Sequence, residues 1–323
     1  MNRAFAFRAI GLAALVALAA LPWMADNYVV RVATTMLMYC ALALSWNFIG
    51  GFTGYPSFAT AAFFGLGAYV GGVLQNMGLF LGLAWLAAGL VVVVFAAVTG
   101  RAILHLKGHY FAIASLVIAD VLREIINGLT SITGGGMGLN LTAPAMGVEA
   151  QSRLFYFSMA VVAAVALATT VWLDRSRLGF GLRCIEQNED AAIRIGVGTA
   201  RLKTIAFALS SVFVGIVGAI YASWTVYIDP SEAFDILISV KPIVMTLLGG
   251  AGSVLGPIYG AFLFLLLEET VWRNFLHVHS GVLGLLVVLL ILFMPRGLLG
   301  AGSRLRVATW LRPERAAKRR AGS

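Results

Sequence analysis

Gly249-Gly250-Ala251-Gly252-Ser253-Val254-Leu255-Gly256-Pro257 stands between two apolar runs, and how it is read decides the fold. Glycine interrupts a membrane helix and lets backbone approach backbone, which suits a protein that packs and reshapes helices around a pathway. Two further breaks, Gly50 to Gly54 and Gly134 to Gly138, also flank apolar runs. The rest of the chain agrees: 60% hydrophobic residues, 11% charged residues and a mean hydropathy of +0.93 leave too little polar surface for a water-soluble globule. Crossing the hydrocarbon core takes about 20 apolar residues, and runs of that kind recur along nearly the whole length. About ten spans are expected, over 9–24, 29–49, 57–75, 79–100, 110–127, 154–173, 204–224, 236–250, 255–272 and 281–295. The expected fold is an all-α membrane protein, a polytopic bundle of about ten transmembrane helices with glycine-broken segments. Its membrane domain runs over 1–303, includes one long inner loop at 174–203, and is followed by a basic tail at 304–323.

Charge sets the orientation. With the N-terminus inside, Arg3, Arg8, Arg101, Lys107, Arg175, Arg177, Arg183, Arg194, Arg201, Lys203, Arg296 and the tail from Arg304 to Arg320 all fall on the inner side. Only Arg31, Arg123, Arg153, Lys241 and Arg273 fall on the outer side, where acids such as Asp26, Glu149, Asp229, Glu268 and Glu269 also gather. A bias this lopsided follows the positive-inside rule and puts the C-terminus in the cytoplasm. The net charge of +9 is therefore read as topology and attraction to anionic membrane lipid, with no nucleic-acid partner. Arg3 and Arg8 ahead of an apolar run ending Ala17-Leu18-Ala19-Ala20 resemble a signal peptide, and cleavage there leaves the remaining topology unchanged.

The inner loop carries Leu182-Arg183-Cys184-Ile185-Glu186-Gln187-Asn188-Glu189-Asp190-Ala191-Ala192-Ile193-Arg194-Ile195-Gly196. At 100° per residue, Leu182, Ile185, Ala192 and Gly196 share one side of a helix, while Arg183, Glu186, Asp190 and Arg194 share another. The pattern predicts one short amphipathic helix whose small residues dock in a partner's groove. Its mixed charge argues against a helix that merely lies on the bilayer. The longest outer loop, 128–153, contains Thr133-Gly134-Gly135-Gly136-Met137-Gly138, which is either a connector or a re-entrant segment whose amides face a solute carboxylate. Asp229-Pro230-Ser231-Glu232 has the cap, first-position proline and trailing glutamate of a helix start.

Asp120, Arg123, Glu124 and Asn127 follow i, i+3, i+4, i+7 spacing and share one face of the fifth span. Ionisable groups there either pair among themselves or line a cavity. Glu268, Glu269 and Arg273 at the end of the ninth span are read mainly as structural. His105 and His109 lack a nearby acid and are separated by Gly108, so no metal site is read. Cys40 and Cys184 fall in different environments and imply no disulfide. Neither a phosphate-binding loop of the form G-x-x-x-x-G-K-S/T nor a nucleophile elbow occurs, so no enzymatic chemistry and no cofactor are expected within the chain.

Gly54-Tyr55-Pro56-Ser57-Phe58-Ala59-Thr60-Ala61-Ala62-Phe63-Phe64-Gly65-Leu66-Gly67-Ala68-Tyr69 resembles the signature of LivM-type permeases of branched-chain amino acid ABC transporters. So do Leu106-Lys107-Gly108-His109-Tyr110-Phe111-Ala112-Ile113, the Thr133 to Gly138 loop, Leu248-Gly249-Gly250-Ala251-Gly252-Ser253 and Pro295-Arg296-Gly297-Leu298-Leu299-Gly300. The resemblance covers residues 30 to 300. It implies a bacterial inner-membrane permease subunit that works with a second, homologous permease, two cytoplasmic ATP-binding subunits and a periplasmic solute-binding protein. Glu189-Asp190-Ala191-Ala192 with Gly196 is similar to the family's Glu-Ala-Ala…Gly coupling element, which together with Arg183 and Glu186 implies an ATPase-docking site. Gly54, Tyr55, Ser57, Gly134, Gly135 and Gly136 are the implied pathway residues. Many relatives carry Gly-Gln-Leu-Ser-Phe-Gly-His where this chain has Gly54-Tyr55-Pro56-Ser57-Phe58-Ala59-Thr60, losing an amide and an imidazole. Urea, short amides and aromatic acids therefore stand as alternative solutes. An ion-driven secondary transporter is the remaining rival, although it needs ionisable groups near mid-membrane.

Overall fold

The computed structural model describes residues 20–274. Most of the expected first span, the tenth span at 281–295, the motif at 295–300 and the tail from 304 lie outside the described residues. Residues 20–24 are helical and lead into α1 (Asn27–Thr53), α2 (Thr60–Asn76), α3 (Leu81–Ile103) and α4 (His109–Gly128). The outer loop folds as a single turn at Thr130–Thr133, a 3₁₀ turn at Gly135–Met137 and a short strand β1 (Leu139–Asn140). Then follow α5 (Val148–Arg175), α6 (Arg177–Gln187), α7 (Glu189–Arg194), α8 (Thr199–Thr225), β2 (Tyr227–Ile228), a turn at Pro230–Ala233, α9 (Ile236–Gly249) and α10 (Gly256–Asn274). β1 and β2 pair antiparallel, Leu139 with Ile228 and Asn140 with Tyr227. This clip ties the outer loop to the end of α8.

Among the described residues α1, α3, α5 and α8 are long and apolar enough to cross a membrane. The other expected spans within the described residues form shorter helices. The 14 residues of α9 rise about 21 Å and the 17 of α2 about 26 Å, both less than the ~30 Å hydrocarbon core. The deficit has a structural cause, because both helices begin within the bundle.

α8 is the hub, packed against α1, α2 and α3. Lipid provides no hydrophobic drive between helices, so close contact depends on small residues. A methyl on Gly67 of α2 would lie 2.2 Å from the Gly215 carbonyl oxygen of α8, and one on Gly218 would lie 2.1 Å from that of Phe64. Backbone therefore meets backbone where α2 crosses α8. Toward the basic end the rings of Tyr55, Phe111, Phe207 and Phe63 form a continuous column, with successive centroids 5.4, 6.1 and 5.1 Å apart.

Between α1 and α2 the chain unwinds at 54–59 and turns back alongside α1. Trp46 Nε1 donates to the Ser57 carbonyl at 2.8 Å, Phe58 N donates to Ser115 Oγ of α4 at 2.9 Å, and Ser239 Oγ of α9 donates to the Phe58 carbonyl at 2.7 Å. Ser239 Oγ also accepts from Ala61 N at 2.8 Å, so one hydroxyl joins the first turns of α2 and α9. Non-helical backbone at membrane depth is tolerated only when protein groups satisfy it in this way. The Gly249–Pro257 break meets the same region. Asn47 accepts from Gly252 N at 2.8 Å and donates to the Ser253 carbonyl at 2.9 Å, while a methyl on Gly51 would lie 2.5 Å from Gly252 N.

Two local expectations change. The inner loop holds two helices, where one was predicted. Asn188 sits extended at φ −165° and its Oδ1 accepts from Ala191 N at 3.0 Å, capping α7 and ending α6. Asp229 does cap a helix start, but the helix is a single turn at Pro230–Ala233, after which Asp235 caps α9 by accepting from Leu237 N at 2.8 Å.

Candidate functional site

A buried polar cluster lies where α7 meets the unwound segment. Buried Lys203, in the first turns of α8, places its Nζ 2.7 Å from the Glu189 carboxylate, 2.8 Å from the Leu104 carbonyl and 3.1 Å from Tyr55 Oη. Its ammonium also lies 4.4 Å from the centre of the Tyr55 ring. Tyr55 Oη in turn donates to Glu189. Burial alone would push the Glu189 carboxyl up, but the hydrogen bonds from Lys203 and Tyr55 and the positive charge more than offset it and hold it below the usual carboxylate range. Tyr55 Oη thus donates to the carboxylate and accepts from Lys203, linking the two.

Around this centre the rest of the inner loop is fastened at its rim. Asp190 meets Lys107 at 2.8 Å, and that contact holds Asp190 low and Lys107 high. Arg183 pairs with Asp174, lies 3.4 Å from the Gly252 carbonyl and has its guanidinium 5.4 Å from the centre of the Phe52 ring. Glu186 packs against Gly54, whose Cβ position would be 3.4 Å from Glu186 Cγ. Leu182, Ile185 and Ala192 are buried as their periodicity predicts, whereas Gly196 is exposed with φ +87° just past the end of α7. Ala191, Ile193 and Ile195 point outward, Ile195 being 72% exposed. The three side chains thus form an apolar edge above the Glu189–Lys203 and Asp190–Lys107 ion pairs.

Tyr55, Gly54 and Ser57 belong to this neighbourhood, while Gly134, Gly135 and Gly136 lie at the opposite end of the bundle. The structure does not bring the two sets together. In the glycine loop, Gly134 N donates to the Thr130 carbonyl, Gly135 N to Thr133 Oγ1 and Gly138 N to the Gly135 carbonyl, so these amides are occupied within the loop. On α4, Arg123 lies 3.5 Å from Asp120 and 3.6 Å from Glu124, all three exposed enough for solvent or a neighbour to screen them, and the Asn127 carbonyl packs beside Gly135. Sequence reasoning missed Lys203 as a site residue because its position matched the positive-inside pattern. Its spacing from the acid it neutralises carries no periodic signal.

Over residues 28–294 the chain matches the family described as branched-chain amino acid transport system / permease component. It belongs to that family. The permease is 28% identical, over 89% of its own length and 73% of the relative's, to the high-affinity branched-chain amino acid transport system permease protein LivM of Escherichia coli (strain K12). It is 24% identical, over 81% of its length and 91% of the relative's, to the corresponding protein LivH of the same organism. No solved structure matches. The permease is thus a multi-pass inner-membrane subunit of an ABC importer, paired with another permease, and is not itself an enzyme.

Proposed function

We propose that this permease supplies half of a translocation path for branched-chain or chemically related amino acids, with α6 and α7 as the element on which two cytoplasmic ATP-binding subunits press. A periplasmic solute-binding protein delivers cargo at the opposite face, and the C-terminus is cytoplasmic. The substrate reading follows the relatives, whose names specify branched-chain amino acid transport. The coupling reading rests on the Glu189–Lys203–Tyr55 contact. Through it α7 is joined to the unwound segment, and that segment's next residues are bonded to α1, α4 and α9. A push on α7 therefore reaches the three helices that meet the unwound strand. Contacts that differ between two states are what a population shift requires, and a strand held by single hydrogen bonds can re-register where a continuous helix cannot.

Charge reversal tests it. Glu189→Lys should abolish solute uptake by whatever protein inserts in the membrane, uptake being scored per inserted protein because the buried pair is broken, and normal uptake by that variant would remove the coupling assignment. Uptake by vesicles carrying the full importer, offered leucine, isoleucine, valine, urea and an aromatic acid, tests the solute.

A further inference from the structure

A cavity of about 630 Å³ opens between α1, α8, α9 and α10 on the side of the bundle away from α7. Its polar lining is unusual for a membrane interior. Arg31 lies with its guanidinium 5.9 Å from the centre of the Trp224 ring and makes no ion pair among the described residues. Deeper in, Lys241 holds one carboxylate oxygen of Glu268 at 2.7 Å and sits 5.5 Å from the centre of the Tyr39 ring. The second oxygen, Glu268 Oε2, is buried without a hydrogen-bond partner. Glu269, the other acid of the lining, accepts from Tyr28. Met36, Met38 and Leu265 complete the wall with apolar surface.

A buried carboxylate oxygen without a partner carries a desolvation cost, and ionisable groups at membrane depth mark a pathway or pair with one another. Among the described residues the lining holds two cations, Arg31 and Lys241, and two acids, Glu268 and Glu269, whose charges balance. A solute with a net charge would leave an ion uncompensated there, whereas one bearing both signs would not. Arg31 offers donors for a carboxylate, Glu268 Oε2 an acceptor for an ammonium, and the methionines and Leu265 accommodate a flexible aliphatic chain. We infer that this cavity is a binding station for a zwitterionic aliphatic α-amino acid inside this subunit, with Arg31 holding the carboxylate and Glu268 the ammonium. The inference rests on the amino-acid reading of the solute given above.

The test uses the full importer in vesicles, with Cys40→Ala and Cys184→Ser so that a single cysteine at Thr35→Cys, on the cavity wall, reports occupancy by its rate of maleimide labelling. L-Leucine should slow labelling, while 3-methylbutylamine, which lacks the carboxylate, and 4-methylpentanoate, which lacks the amine, should not. Arg31→Gln should raise the leucine concentration for half-protection about tenfold or more, and Arg31→Lys should restore most of it. Leucine uptake without protection at position 35 would overturn the cavity site and leave the importer reading standing. Equal protection by the amine or the acid would overturn the two-point assignment. Wild-type vesicles that take up none of leucine, isoleucine or valine would overturn both readings.

Discussion

At the residue scale, the proposed coupling rests on a charge the protein has taken out of solvent. Lys203 is 3% exposed and its ammonium is satisfied by a carboxylate, a carbonyl and a phenol from three different segments. Removing one member of such a pair strands the other, so Lys203→Met should destabilise the solubilised chain by on the order of 3 kcal/mol, read as a fall in thermal midpoint. Adding Glu189→Gln to that variant should recover part of the loss, because the stranded carboxylate is gone; a strictly additive second loss would contradict the pairing. The pH dependence follows from Glu189. Its carboxyl is held lower in the folded protein than in the unfolded chain, so this contribution to stability is full above the ordinary carboxylate range. It is lost as pH falls through the depressed folded value. Stability from this contact should therefore be flat from about pH 6 to 8 and fall only in acid, and the acid-side slope should shrink in Glu189→Gln.

At the scale of the element, the two short helices of the inner loop owe their separation to one side chain. Asn188→Ala should cost about 1 kcal/mol by loss of the α7 cap and should weaken solute-stimulated ATP hydrolysis by the assembled importer, whereas Asn188→Asp, which keeps an acceptor, should be near neutral. A periodicity argument sees the buried stripe of Leu182, Ile185 and Ala192 but is blind to this break, because the stripe continues in phase across it. The α2–α8 crossing makes the complementary point. Gly67→Leu should prevent α2 from seating on α8 and lower the amount of folded protein recovered from the membrane, since even a first carbon there meets backbone at 2.2 Å and not a side chain able to move. The glycines themselves are plain in the sequence; which helix each one admits is not.

At the scale of the whole molecule, the bundle has two unlike ends. One carries α6, α7 and the ionic fastening, and the other carries the glycine loop clipped to α8 by β1 and β2. A chain oriented by its basic residues should expose a cysteine at Ile195 only to a reagent that reaches the cytosol and one at Met137 to an impermeant reagent added to intact cells, both side chains being well exposed. Labelling of position 195 from outside would invert the topology. Sequence alone determined the membrane class, the helical spans, their expected direction and the family, because hydrophobic length, charge bias and ordered motifs are properties of neighbouring residues and survive without a fold. Only the tertiary structure decided that α2 and α9 start inside the bundle on one shared serine, that Tyr55 reaches α7, and that Arg31, Lys241 and Glu268 line one cavity. Those facts bring together residues separated by 27 to more than 200 positions. The burial that makes each contact strong is set by how helices pack and not by any local pattern.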